Sequence, residues 1–394
     1  MYAIEYIIGV FIVLVTIVSV LFILVLPRQP QGLEKLTVIV NKSVHYTFLF
    51  FSRFARSYEA KDSILAPTAP VALIAQLLFW AASLVVGFAL MLMHTTHSIW
   101  HGLTQALTAL FTVGAIHSGG TPNIALDITA GATWVVIVAL QIAYLPSLYS
   151  SFSRREALVT MLESRAGIPA WGPELLARHQ LVGINDALPQ LYADWELWAA
   201  EVTESHTTYP VLLLFRSPEP WFNWIIGLLA VLDAGAMQLA LCPTTAPSQT
   251  RLCLRMGFTL FNRIARSLGY PVDDDPDPDG EITLTYEEFA SAVEKLVLVG
   301  FPTERSPEDA WPHFRGWRIN YESSAYRLAD AFTAPLAPWS GVRRHLPAGV
   351  VEPKRPPHRA PAKVSKFVDA RPEVVNPPRT HQPRTWMPSR HKSE

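Results

Sequence analysis

The sequence predicts a mostly α integral membrane protein. It would have three transmembrane helices, a shorter re-entrant helix between the second and third, a helical cytosolic domain and a disordered tail. Three observations predict this. Half of the 394 residues are hydrophobic and only 16% are charged, whereas soluble domains carry about a quarter charged residues. Three apolar runs of about twenty residues lie in the first 150 positions, each enough to cross roughly 30 Å of hydrocarbon as a helix. Beyond them the composition turns globular, with helical and no strand-period patterning.

The chain divides by composition into five parts. Residues 1–27 form an N-terminal transmembrane helix, and 28–66 a cytoplasmic amphipathic connection. Residues 67–150 hold two spans with a loop between them, 151–344 a helical cytosolic domain, and 345–394 a tail rich in Pro and basic residues. A formal charge of −1 argues against a nucleic-acid partner. Cys242 and Cys253 stand in neither a metal-ligand nor a disulfide-framework spacing, so a reducing compartment is the simpler reading.

The first span is the uninterrupted run from Ile7 to Leu26. Glu5 precedes it, with no Lys or Arg, and no small-residue cleavage site follows, so a retained span fits better than a signal peptide. In the connection, Leu33, Leu36, Val40, Val44, Phe48, Phe51 and Phe54 recur at helical spacing among basic residues. This is either a helix in the membrane surface or one packed on the cytosolic domain. The second span, Val71 to Met93, is entered through Pro67 and Pro70, and the third, Ile128 to Leu148, stops near Pro146. Arg28, Lys35, Lys42, Arg53, Arg56 and Lys61 follow the first span, and Arg154 and Arg155 follow the third. Residues 94–127 contain no Lys or Arg. The positive charge therefore puts the connection and the C-terminal domain in the cytoplasm of an inner or plasma membrane, and the N-terminus outside.

The outer connection carries the functional signal. Ile99 to Val113 is apolar and helix-compatible but too short to cross a bilayer. Gly114, Gly119, Gly120, Thr121 and Pro122 follow, and then the third span begins. A half-length helix, Gly-bearing irregular backbone and a full span make the pattern of a re-entrant loop, which is tolerated at membrane depth only where protein or water surrounds it. The order of span, short helix, Thr112-Val113-Gly114, Thr121-Pro122 and span resembles the pore unit of two-span potassium channels and their bacterial relatives. In that family the filter reads Thr-Val-Gly-Tyr-Gly-Asp and its carbonyls replace the ion's water shell. Here Ala115 replaces the aromatic residue, Ile116 the second glycine and His117 the acid. A β-branched Ile resists the backbone that the second glycine adopts, so a standard four-site filter is not expected. Tyr144–Tyr149, Ser151–Glu156, Glu163–Gly167, Glu201–His206 and Ala310–Gly316 look like those of actinobacterial membrane proteins of this channel-like type. No chemistry carries over from them to a residue here.

Within the cytosolic part, Arg155 to Ser164 continues the third span and closes at Gly167 and Pro169. Leu188 to Val202 is amphipathic and carries Trp195 and Trp198. Trp224 to Leu241 is strongly apolar, broken only by Asp233 and Gln238. A fourth span there would place the tail outside and bury Asp233 at about 3 kcal/mol, so a core helix, or one against the inner leaflet, is favoured. Further helices are signalled at Arg251–Leu268, by Thr285 ahead of Glu288, and by Ser306-Pro307-Glu308-Asp309. The tail after about His345 has too few apolar residues to fold, and is either solvated or drawn to anionic lipid.

Two clusters have metal-like spacing. Asp275, Asp277 and Asp279 with Gly280 imitate the start of an EF-hand loop, but the closing Glu is one residue late, at Glu287. An acidic turn stiffened by proline is favoured. His94, His97 and His101 would share a helix face, to hold a borderline metal or, with His117, to make the outer mouth pH-sensitive; a polar interfacial cap is the simpler reading. No nucleophile elbow, phosphate loop or zinc-protease motif nominates an enzyme, and no cofactor is expected.

The resemblance implies a homotetrameric pore for a monovalent cation, with Thr112, Val113 and Gly114 lining its narrow part. Gln141 would face an inner cavity. Gly131 would be a bend or a packing position on the inner helix. The alternative is a non-conducting, membrane-anchored scaffold or regulatory protein that acts through its cytosolic domain.

Overall fold

The computed structural model of the chain describes residues 2–25, 35–111 and 122–341. The expected filter, Thr112 to His117, and the tail from residue 342 lie outside the described residues. All regular elements among the described residues are helices.

The first six helices are α1 (Tyr2–Leu24), α2 (Lys35–Ser52), α3 (Tyr58–Leu65), α4 (Thr68–Thr96), α5 (Ile99–Leu110) and α6 (Pro122–Ala166). Helix α1 packs on α4 where two glycines meet. A Cβ on Gly9 would lie 2.5 Å from the Gly87 carbonyl, and one on Gly87 2.7 Å from Val13 Cγ2. Only glycine permits this backbone approach, which is how apolar helices associate when lipid is as greasy as their side chains. Ser57 caps α3 through Ala60 N, and α4 follows almost at once. Pro70 sits in the first turn of α4, where its missing N–H removes no helical bond.

Helix α6 corrects one expectation. It does not stop at Pro146 but runs through it for 45 residues, about 67 Å, more than twice a bilayer core. Its N-terminal half shows Ile128, Val135, Val136 and Ile142 to the surroundings, as α1 shows Ile4, Ile7 and Phe11 and α4 shows Val71, Ile74 and Leu78. Such stripes are too large for a water-facing monomer surface. Among the described residues, four helical stretches are long and apolar enough to cross a membrane: Ala3–Leu24, Tyr58–Thr96, Ile124–Ala166 and Trp224–Leu241.

In the amphipathic connection, α2 covers most of the expected helix from Leu33 to Phe54, and the shorter α3 follows it. Val44 of α2 joins a cluster with Leu24, Ala69, Leu73, Tyr144 and Leu212, where the ends of α1 and α4 meet the C-terminal helical domain. His45 Nε2 faces the Ala331 carbonyl of that domain at 3.4 Å. The opposite side of α2 leaves Ile39, Tyr46 and Phe50 exposed.

The remaining helices are α7 (Gly172–Val182), α8 (Leu188–Thr208), α9 (Trp224–Leu241), α10 (Ser248–Ser267), α11 (Tyr286–Leu298), α12 (Pro307–Arg318) and α13 (Glu322–Ala331). All 18 residues of α9 are buried, wrapped by α7, α8, α10, α12 and α13. Asn223 starts it by accepting bonds from Ile225 N and Ile226 N. Helix α10 turns Cys253, Leu254, Gly257, Leu260, Phe261 and Ile264 inward and leaves Arg251, Arg255 and Arg263 outside, the two-faced pattern of a helix laid on a core. Gly257 lets it press on Leu232 of α9, where a Cβ would lie 2.5 Å from Leu232 Cδ2. Thr285 and Glu288 form a full capping box on α11, and Ser306 caps α12 through Asp309 N.

Candidate functional site

Two regions gather functional side chains: the α4–α5–α6 unit and the ionic centres that tie the C-terminal helical domain together. In the first, α4 ends when His97 adopts a left-handed conformation (φ 51°), its N–H donating to the Met93 carbonyl. The chain reverses and α5 begins. Gly102 then lies against α4, where a Cβ would be 2.7 Å from the Ala89 carbonyl.

Along its other side α5 meets α6. Gln105 Nε2 donates to both carboxylate oxygens of Asp127, at 3.1 and 3.0 Å. Gly131 faces the Ala109 carbonyl at 3.1 Å from a built Cβ. The rings of Phe111 and Trp134 meet edge-on at 5.6 Å. Each α6 partner lies twenty-two or twenty-three positions further along the chain, so the two helices run in the same direction. A short helix thus lies between two long ones, antiparallel to the one before it and parallel to the one after. Gln105 is buried, and a buried amide bonded to a carboxylate fixes the register of the pair within an apolar unit.

The other site candidates in this unit are placed as follows. Gly131 packs against α5. Gln141 is buried within its own chain, with Oε1 lacking a hydrogen-bond partner, because its side of α6 faces the other helices of the unit. His94, His97 and His101 are each exposed, and the turn at His97 breaks the helical register that would align them. The acidic run is similarly dispersed. Asp274 pairs with Arg266 and Asp279 with Arg315, while Asp273 and Asp277 accept bonds from Asp275 N and Asp279 N in tight turns. Among the described residues no three His, Cys, Asp or Glu side chains are placed to share a metal ion.

Two buried arginines, Arg155 and Arg318, and the half-buried Arg216 hold the rest. Arg155, in the lower part of α6, bonds Glu156 Oε1 (2.8 Å) and the carbonyls of Leu212 (3.0 Å) and Phe215 (2.8 Å). His206 Nε2 lies 3.0 Å from its Nη1. Burial, with the Arg155 cation beside it, holds His206 well below the usual imidazole range. The ring is therefore neutral and Nε2 accepts, since a guanidinium only donates. Arg216 ties the connection to the domain: it pairs with Asp62 and bonds Tyr58 Oη (2.9 Å) and the carbonyls of Phe332 (2.8 Å) and Thr333 (3.0 Å).

Arg318 lies at the centre of the domain. Its Nη1 is 2.5 Å from Asp233 Oδ1, its Nε bonds Glu322 at 3.0 Å, and its Nη2 reaches Tyr326 Oη and the Trp339 carbonyl. Tyr321 Oη donates to Asp233 at 2.8 Å. Burial pushes the Asp233 carboxyl up to about 6 against the pull of Arg318 and Tyr321. Asp233 is the one residue that sequence reasoning flagged here, as a charge in an apolar run. Its partner is 85 positions away and carries no local signal. Both thiols are poor nucleophiles, since burial pushes Cys242 up to about 11 and Cys253 higher still.

No family model matches the chain, and comparison with curated proteins and with solved structures finds no similar one.

Proposed function

We propose that this chain is a channel-like membrane protein whose α4–α5–α6 unit is one quarter of a homotetrameric cation pore of the potassium type. One observation carries the reading: α5 runs parallel to α6 directly after reversing from α4. A short helix in that direction enters the layer of the long helices without crossing it, and it needs a returning segment before α6 can begin. In this reading residues 112–121 would be that segment, and Thr112, Val113 and Gly114 would present their carbonyls to the ion. A single such loop encloses no path, so four copies would surround the axis. The exposed stripe of α6, with Ile128, Val135, Val136 and Ile142, would face the neighbouring subunits, the lumen and the lipid.

In this reading α1, α4 and α6 are the three spans, with the N-terminus outside and the helical domain in the cytoplasm. Helix α9 is the core of that domain, since protein already covers all of it. Ile116 in place of a second glycine supports a second reading, a non-conducting anchor that acts through the domain fastened to it by Arg155 and Arg216. Potassium flux into vesicles that hold the purified full chain separates the two, with Gly114→Asp as control. Flux that vanishes in the variant is the expected result. No flux with any monovalent cation, from folded protein, would refute the pore.

A further inference from the structure

We propose that the cleft between α11 and the Trp339 strap is the dock for the chain's own segment 353–359, Pro-Lys-Arg-Pro-Pro-His-Arg, bound in cis. The cleft has a volume of about 220 Å³, and Trp171, Tyr326 and Trp339 supply its aromatic walls, with Glu287 and Glu288 on the α11 side. The walls are rigid. The Trp339 carbonyl accepts bonds from buried Arg318 and from Tyr326 Oη, and the Trp171 and Trp339 rings meet edge-on at 5.6 Å. The cation in the cleft, Lys295, is occupied over the Trp171 ring at 5.1 Å. Glu287 is exposed.

Charge and connectivity point to the occupant. Residues 151–341 contain 14 Lys and Arg against 24 Asp and Glu, whereas residues 342–394 contain 12 against 4. The near-neutral whole is thus an acidic domain joined to a basic tail, and complementary potentials draw the two together. Gly341, the last described residue before the tail, lines the cleft itself. Pro353 follows twelve residues later, a reach of about 40 Å fully extended, so the segment can fold back, at the high effective concentration of a tethered ligand. Prolines at 353, 356 and 357 set φ for an extended left-handed helix. That conformation lays its rings on aromatic walls at little entropic cost, with basic residues directed to acids beside them. Lys354 and Arg355 are those residues, and Glu287 is the acid. This docking holds whether or not the pore unit conducts.

The test uses the full chain in vesicles that contain phosphatidylserine, with a benzophenone amino acid in place of His358. Half of the molecules carry a heavy-isotope label. The expected result is light-induced crosslinks within one molecule, mapping to residues 283–295 or 338–341. Their yield should fall about ten-fold in Glu287→Lys, the equivalent of one charge-assisted contact, and similarly when Pro353, Pro356 and Pro357 are changed to Ala. An unchanged melting temperature for Glu287→Lys shows that the domain is intact. Crosslinks to lipid, to a differently labelled copy or to another surface would overturn the proposal, as would a yield indifferent to Glu287→Lys.

Discussion

All 18 residues of α9 are buried by protein, while in the most apolar 18-residue part of α6 the share is 22%. Both helices are long and apolar enough to span a bilayer. Helix α9 is enclosed by helices that turn charged faces to water, as α10 does with Arg251, Arg255 and Arg263. The upper half of α6 touches α1, α4 and α5 and leaves Ile128, Val135, Val136 and Ile142 uncovered. A polar residue also has a different partner in each setting. Asp233 of α9 meets a buried arginine, and Asp127 of α6 meets a neutral amide. Apolar length therefore states a need for burial, and the neighbouring helices determine whether protein or lipid meets it.

The largest expected effect breaks the α9 side of this comparison. Arg318→Met leaves Asp233 and Glu322 buried without their cation and should destabilise the C-terminal helical domain by about 3–5 kcal/mol, read as a fall in its melting temperature in the full chain. Cavity variants come next. Leu232→Ala in α9 should cost about 2–5 kcal/mol, while Val135→Ala on the exposed side of α6 should change the stability of the single chain dissociated in detergent by under about 0.5 kcal/mol. Equal effects would show that α6 is covered by protein as α9 is.

Acidity sharpens the contrast. An acid whose pKa is raised by folding, here from 3.8 to about 6, holds in the native state a proton that the unfolded chain releases. Its contribution therefore favours folding below the unfolded value and is lost as pH rises through about 6, by on the order of 2–3 kcal/mol. In chemical denaturation of the full chain across that range, Asp233→Asn should remove this slope. An unchanged slope would assign it to other groups. The smallest effect tests the parallel pair. Gln105→Leu should loosen α5 from α6 by about 1 kcal/mol, seen as faster amide exchange over residues 99–111 with the C-terminal helical domain unaffected.

Much of this architecture was legible locally. Ile7–Leu26, Val71–Met93 and Trp224–Leu241 announce helices through unbroken apolar length, and Thr285, Glu288 and Ser306 announce helix starts, because a cap bonds residues two or three positions away. Helix α7 was not legible. It follows Gly167 and Pro169, starts with Gly172-Pro173 and is buried on nearly every side, so it has neither a capping side chain nor a polar face to give it periodicity. Helix α13 also lacks a side-chain cap. The run through Pro146 was not legible because a proline usually ends a helix, and only the packing of Tyr144 and Leu148 beside it against α4 and residues 211–215 holds the chain helical there.

The sequence by itself determined where most of these helices lie and how much apolar surface each must cover, since hydropathy, period and capping act within a few residues. Only the tertiary structure decided that α9 is enclosed by protein, that α5 runs parallel to α6, and that Asp233 meets Arg318. Each of these depends on which distant segments arrive at the same place, and a contact across twenty or eighty residues leaves no mark in the local pattern of either partner.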